Sequence, residues 1–485
     1  MARRLSPIDA SFLFLERPNT PMHAGGVAIF ERPEAGFDYD RLVRLVRQRI
    51  ALVPRYRQRI REVPLRIARP VWVDDEHFDI NFHVRRTAIP KPGTDDQLSE
   101  IVSRLMVRPL DRSRPLWEMY LVDGLSGGRF AIITKTHEAL VDGLSAVDIA
   151  QVMLSDEPQS AVDTSDSWNP DREPSDIELA SQALTEILTR PAAAIDAVRD
   201  AVGDVSRVAT TVAEAVEGVL SAVAAVVRPP MDSPLNVAVG QHRLFRTVEF
   251  KLEDFRRIRT GLGGTINDSL LAVITGGLRS WLQARGEGIS QPDHIRALLP
   301  ISVSVPVRAS GQAGGSRVSA NLIDLPIGEA DPAVRLQQVG FELAQLSEGG
   351  QFVGAEDIVN IAGFGPPTLH SLGARVAAGI ARKVYNIVIT NVPGPQHHLY
   401  LGDARLLAAY PVVPLTSHQA LSIGVTSYDG RVFLGLYVDR DALSDVDLLV
   451  ACLDESMDEL IARATSHRRP LTVVSDDEGD ERALA

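Results

Sequence analysis

A polar interruption about a third of the way along the chain limits what it can fold into. From Ser155 to Glu178 the sequence SDEPQSAVDTSDSWNPDREPSDIE is rich in Ser, Asp and Pro and has little apolar periodicity, as expected of an exposed connector. On both sides of it, short β-branched segments alternate with amphipathic ones. HAGGVAIFE and RFAIITKTH before the interruption, and RTVEFKL, HIRALLPISV, YNIVITNV, ALSIGVTSYDG and RVFLGLYV after it, read as strands. YDRLVRLVRQRIALV carries apolar residues at helical spacing with arginines opposite. Residues 179–228 are Ala and Val rich with interspersed charges such as Asp196, Arg199 and Asp200, which predicts helices separated near Pro191 and closed by Pro229, Pro230 and Pro234. A chain of 485 residues exceeds what one core organises. The expected fold class is therefore mixed α/β (α+β) in two domains, residues 1–155 and 234–468, joined by a linker over 156–233. The acidic end, 469–485, reads as a solvated, disordered tail.

Composition narrows the function classes. Hydrophobic residues at 45% against 23% charged describe a globular protein with ample core material. A formal charge of −13 argues against a general nucleic-acid role, which needs Lys and Arg concentrated on one face. The single cysteine, Cys452, has no intramolecular partner and fits a reducing compartment. In the opening MARRLSPIDASFLFLE, Asp9 and Glu16 interrupt the apolar run that a signal peptide needs. VLSAVAAVV, Val219 to Val227, is far short of the roughly 20 apolar residues that cross a bilayer. The reading is a cytoplasmic protein whose membrane contact, at the inner membrane face or on lipid droplets, is peripheral. Its Ala/Val-rich stretch 191–228 is the candidate for that contact if its helices are amphipathic, and a packed connector otherwise.

The chemistry concentrates in KTHEALVDGLSAVDIA, Lys135 to Ala150. His137 and Glu138 lie where a predicted buried strand ends, and Asp142 and Gly143 lie near the start of a segment with helical spacing, LSAVDIAQVML. A rigid strand aims side chains, and helix amides favour negative charge. Taken alone, Asp142 is equally an N-cap, His137 a satisfied core histidine and Gly143 a first-turn residue.

Other stretches, in order along the chain, bear on that choice. With LSPIDASFLFLE and PMHAGG near the start come PLWE (Pro115 to Glu118), HEALVDG (His137 to Gly143) and SPLN (Ser233 to Asn236). INDSLLA (Ile266 to Ala272), TNVPGP (Thr390 to Pro395) and LSIGVTSYDG (Leu421 to Gly430) follow. Together they resemble the bacterial wax ester synthase/diacylglycerol acyltransferase family, over nearly the whole chain. The resemblance implies two chloramphenicol-acetyltransferase-like domains with the site in a channel between them. It implies acyl-CoA as donor, diacylglycerol or a long-chain alcohol as acceptor, and direct transfer in a ternary complex with no acyl-enzyme. No cofactor is implied, and the products are triacylglycerol or wax ester.

The family motif has two adjacent histidines, three residues and Asp-Gly. Here Glu138 stands where the second histidine, the general base, is expected. Three readings are open. Glu138 serves as base, with burial raising its pKa from about 4.3 toward neutrality. Alternatively His137 takes over, although neighbouring residues leaving a strand point in opposite directions. In the third, the site is impaired and the chain binds acyl-CoA or lipid without turnover, because an ordinary carboxylate is a weaker base than imidazole by about two pH units and its charge opposes the oxyanion. Asp142 matches the aspartate that organises the active-site turn. Asn267 matches an asparagine near the reaction centre, suited to bind the oxyanion or orient the acceptor hydroxyl, or with Asp268 to cap a helix. Pro115, Trp117, Gly143, Asn391, Pro393 and Gly394 are structural or substrate-binding candidates. The only adjacent histidine pair, His397 and His398, reads as surface or channel-mouth structure, and no spacing suggests a metal or a phosphate loop.

Overall fold

The computed structural model describes residues 3–140, 149–158, 168–189, 231–303, 317–348 and 384–466. Strands form where β-branched and aromatic residues recur. The first half contributes β1 (Arg3–Arg4), β2 (His23–Glu31), β3 (Gln58–Arg61), β4 (Val71–Asp74), β5 (Val84–Ala88), β6 (Trp117–Leu125) and β7 (Arg129–His137). The second contributes β8 (Arg243–Lys251), β9 (Ile295–Val303), β10 (Arg317–Leu325), β11 (Ile387–Pro393), β12 (Tyr400–Leu401), β13 (Ala404–Val412), β14 (Leu421–Tyr428) and β15 (Arg431–Asp439). The segments HAGGVAIFE and RFAIITKTH are strands β2 and β7 to the residue.

Two six-stranded mixed sheets carry the architecture, in the orders β12-β13-β2-β7-β6-β5 and β10-β9-β11-β14-β15-β8, with a small third sheet, β1-β4-β3. The fold class is thus mixed α/β in two lobes, as expected. β7 is central in the first sheet and buried along almost its whole length, which explains its near-continuous apolar run. Helices Leu252–Leu262, Ile266–Ala284 and Val446–Ser466 bury their apolar stripes in a core shared with the second sheet.

The lobes are not consecutive pieces of chain. β13 leaves the second half and pairs antiparallel with β2, Ala409 opposite Ala28 and Pro411 opposite Gly26. Tyr410, Val412, Phe433 and Tyr437 therefore belong to the apolar core of the first half. β13 also crosses close over the second sheet, and there the sequence supplies glycine. A Cβ built on Gly424 would lie 2.7 Å from Pro411 Cβ, and one on Gly435 would overlap the Pro411 carbonyl oxygen. These two glycines let the sheets meet around one shared strand.

The polar connector is exposed but anchored where it is described. Trp168 lies beneath the Arg57 guanidinium, 4.9 Å away, and Glu173 pairs with Arg59 and Arg61. Asp176–Thr189 is a helix whose Leu179 and Ala183 pack on the small sheet. The Ala/Val-rich segment beyond it and the acidic tail lie outside the described residues, and no described helix is long and apolar enough to cross a membrane.

Replacing Gly435 with Ala should lower stability by about 1–3 kcal/mol, the usual cost of forcing extra atoms into a packed contact. Chemical denaturation followed by near-ultraviolet circular dichroism checks this. Gly430→Ala, at a turn where an added Cβ meets nothing within 4 Å, tests the left-handed backbone (φ 76°) separately from crowding.

Candidate active site

β2 and β7 pair antiparallel with His23 opposite His137 and Ala24 opposite Thr136. One residue past the strand, the Glu138 amide still donates to the Met22 carbonyl, at 2.9 Å. The ladder therefore continues to Glu138, and side chains keep alternating between faces. His137 falls on one face with Lys135; Glu138 falls on the other with Thr136, Thr134 and Ile132.

The His137 face is closed. His137 is 1% exposed, and its Nδ1 accepts the Ala139 N–H at 3.0 Å, so a neutral ring carries its proton on Nε2. That nitrogen sits 3.6 Å from Glu16 Oε2, while His23 Nε2 lies 3.5 Å from Glu16 Oε1. Arg112 completes the group with an ion pair to Glu16. Burial pushes the Glu16 carboxyl up, but hydrogen bonding from His137 and the hydrogen bonding and charge of Arg112 outweigh it and bring the pKa down to about 2. His23, whose Nδ1 lies 3.1 Å from the Met106 carbonyl oxygen, is lowered to about 3, first by desolvation and then by the Lys135 charge. Lys135, wholly buried, is lowered to about 8 by desolvation against the pull of Glu118 3.6 Å away. Glu16, His23 and Arg112 are the residues that sequence reasoning passed over. Their signal was that LSPIDASFLFLE ends on Glu16 and PMHAGG contains His23, two of the same family stretches.

The Glu138 face is open. Ile132 and Thr134 line a cavity of about 270 Å³, open on one side, together with Gly26, Ala28, Ala409, Pro411 and, from the second sheet, Thr390 and Val392. Glu138 keeps some accessible surface yet is surrounded deeply enough by protein that desolvation alone pushes its carboxyl up to about 7. Among the described residues its carboxylate has no ion pair. On β7 the cavity lining reaches Thr134, four residues before Glu138 on the same face.

The other candidates divide by role. Trp117 is 1% exposed, stacks on His83 with centroids 4.6 Å apart and donates its Nε1–H to the Tyr56 carbonyl at 2.8 Å, so it packs the core. Pro115 is buried beside it, and the Leu116 carbonyl accepts the His137 amide, so the PLW stretch fixes the end of β7. Gly394 packs where a Cβ would overlap the Ser427 carbonyl oxygen, and Pro393 ends β11 exposed. Asn267 is not the helix cap: Thr265 is, in a capping box with Asp268. Asn267 Oδ1 instead accepts from Asn391 Nδ2 at 2.9 Å, and the described contacts join neither to His137 or Glu138. His397 and His398 are exposed and face Asp156 and Asp429. Asp142 and Gly143 lie outside the described residues.

The family model for the wax ester synthase/diacylglycerol acyltransferase catalytic domain matches residues 5–270, and that for the family's C-terminal domain matches 314–461. The chain belongs to this family. It is an acyltransferase of the wax ester synthase/diacylglycerol acyltransferase type, as the sequence resemblance implied. The probable diacylglycerol O-acyltransferase tgs3 of Mycobacterium tuberculosis (strain H37Rv) is 44% identical over 260 residues, 53% of this chain and 96% of that protein. Its relative tgs2, with the same description, is 34% identical over 467 residues, 94% of this chain and 98% of that protein. The solved wax ester synthase/diacylglycerol acyltransferase of Marinobacter aquaeolei VT8 superposes with a TM-score of 0.69 at 27% identity, covering 96% of this chain and all of that one. A condensation domain of the calcium-dependent antibiotic synthetase shares the two-lobed fold at 16% identity, with a TM-score of 0.56 over 96% of each chain.

An acid whose pKa is raised on folding costs stability when it ionises. Below about 4.5 Glu138 is neutral in the folded and unfolded states alike, and no penalty exists; above about 7 it is ionised in both, and the penalty is full. Stability is lost as pH rises across that window, by up to about 3 kcal/mol at about 1.4 kcal/mol per pH unit. Glu138→Gln should therefore be more stable than the parent at pH 8 and equal to it at about pH 3.5, as read from denaturation midpoints at both pH values.

Proposed function

We propose that this family member transfers a long-chain acyl group from acyl-CoA to diacylglycerol or a long-chain alcohol, with Glu138 as the general base. The observation that carries the reading is the position, on the cavity side of the sheet, of a desolvated carboxyl that has no cationic partner among the described residues. The objection to a glutamate in this place is its weakness as a base. A carboxyl pushed up to about 7 has the proton affinity of an imidazole, which supports the reading against that objection.

In this reading the Glu138 carboxylate takes the proton of the acceptor hydroxyl as its oxygen attacks the thioester carbonyl carbon. The C–S bond then breaks, and the proton passes from Glu138 to the departing thiolate, giving the ester and free CoA. His137 has no share in proton transfer, since its Nδ1 is committed to the Ala139 amide and its Nε2 faces Glu16. It anchors the strand end instead. Asn267 enters as an amide donor from the second lobe: Asn391 occupies its Oδ1, which leaves its NH₂ for a substrate oxygen. The similarity to proteins described as diacylglycerol O-acyltransferases supports the acceptor class. Contact with a membrane or lipid droplet is part of the proposal, because both acceptors are lipids.

The test is CoA release from palmitoyl-CoA with dioleoylglycerol or hexadecanol. The parent should turn over, with kcat/KM rising about tenfold per pH unit below pH 7 and levelling above it. Glu138→Gln should lose on the order of 10²- to 10⁴-fold in kcat, and Glu138→His should retain activity. Turnover that appears only in Glu138→His would mean the chain as it stands is an impaired, lipid-binding relative.

A further inference from the structure

Regular strands form the walls of the cavity on the Glu138 face, whose lining on β7 begins at Thr134, four residues before Glu138. Along β2 its lining runs from Gly25 to Phe30, and along β13 it includes Leu406, Ala409 and Pro411. Ala24, Gly26 and Ala28 are register positions on the face of Glu138, and all three keep accessible surface although β2 is an inner strand of its sheet. On β13 the accessible positions likewise include Ala409 and Pro411. The bore is floored by aromatics. Phe30 stacks on Phe130 with centroids 5.4 Å apart, Phe130 stacks on Phe37 at 4.5 Å, and Leu406 lies directly opposite Phe30 across the β2–β13 pair.

Just before that floor, Ala28 and Ala409 face each other as register partners, and both line the cavity. We propose that the cavity between β2, β7 and β13 holds a straight alkyl chain of the substrate, and that the facing pair Ala28–Ala409 is the gate that sets its length. The proposal rests on the acyl-transfer reading for the identity of the chain and on the strand registers for its length.

The registers give the distances. Glu138 stands level with Met22, so Ala28 is six strand residues away, about 20 Å, and Phe30 is eight, about 27 Å, at about 3.4 Å per residue. The reacting carbon stands roughly 3–4 Å from the base. An extended alkyl chain advances about 1.3 Å per carbon, the projection of a C–C bond of about 1.5 Å. A chain of about 12 carbons therefore stops at the alanine pair, and one of about 16 to 18 passes between the alanines and ends against Phe30 and Leu406. Larger side chains at the pair would close the bore to the longer chain and leave room for the shorter.

The experiment uses the full chain and two variants, Ala409→Leu to plug the bore and Leu406→Ala to deepen it. CoA release is measured with decanoyl-, palmitoyl- and arachidoyl-CoA at fixed dioleoylglycerol, and with decanol and hexadecanol at fixed palmitoyl-CoA. Ala409→Leu should lower kcat/KM for the 16-carbon substrate at least about tenfold relative to the 10-carbon one, the discrimination that misplaced methylenes impose. Leu406→Ala should raise the relative rate with the 20-carbon donor. A shift in the donor series assigns the cavity to the acyl group; a shift only in the acceptor series assigns it to the alcohol. Unchanged selectivity in both series, with decanoyl-CoA turnover showing a folded enzyme, would overturn the gate. Calorimetric binding of decanoate and palmitate supplies a readout without turnover. Loss of palmitate but not decanoate binding in Ala409→Leu upholds the gate even where no variant releases CoA, a result that would remove only the acyl-transfer reading. Equal palmitate binding in parent and Ala409→Leu would overturn the gate whatever the kinetics.

Discussion

One backbone hydrogen bond, from the Glu138 amide to the Met22 carbonyl, decides which side of the sheet each motif residue serves. It carries the β2–β7 ladder one residue past the strand, so alternation sends His137 into a closed polar cluster and Glu138 toward the cavity. The two residues share a motif but not an environment. His137 is held by Ala139 and Glu16, whereas Glu138 meets burial without a counter-charge among the described residues. Burial without a partner raises a carboxyl, and burial with Arg112 and His137 lowers one, so Glu16 and Glu138 end about five pH units apart on opposite faces of the same strand pair.

The closed face supplies rigidity to the open one. Glu16, His23, His137 and Arg112 come from four separate stretches, and the ion pair of Glu16 with Arg112 spans 96 positions of sequence. Such a group costs desolvation and is weak support for stability by itself. Its effect is positional, because a strand end held on one side cannot swing on the other. The Leu116 carbonyl, in the PLW stretch, adds the matching restraint on the His137 amide, and Trp117 locks that stretch between His83 and Tyr56.

Much of the architecture was legible in the sequence because it rests on local periodicity. β2 and β7 were readable to the residue, and so was the mixed α/β character on both sides of the polar connector. β13 was not legible. ARLLAAYPV is rich in alanine and resembles no strong strand former, and nothing local says that it pairs with β2 more than 370 positions away. The cavity was hidden for the same reason, since it exists only where that strand meets the first sheet. The position of Glu138 in the motif was visible from the start, but its basicity was not, because desolvation depends on what the whole fold places around a carboxyl. Asn267 was read either as a reaction-centre amide or, with Asp268, as a helix cap, and the structure gives the cap to Thr265, two residues earlier, with Asp268 as its capping-box partner.

The account stands on the proton affinity of one side chain. Infrared difference spectroscopy of the parent against Glu138→Gln, recorded as a function of pH with the carboxyl and carboxylate bands followed separately, reads that affinity without substrate. The account predicts a single carboxyl, absent from the variant, that ionises near pH 7. A Glu138 carboxyl already ionised at pH 5 would contradict it.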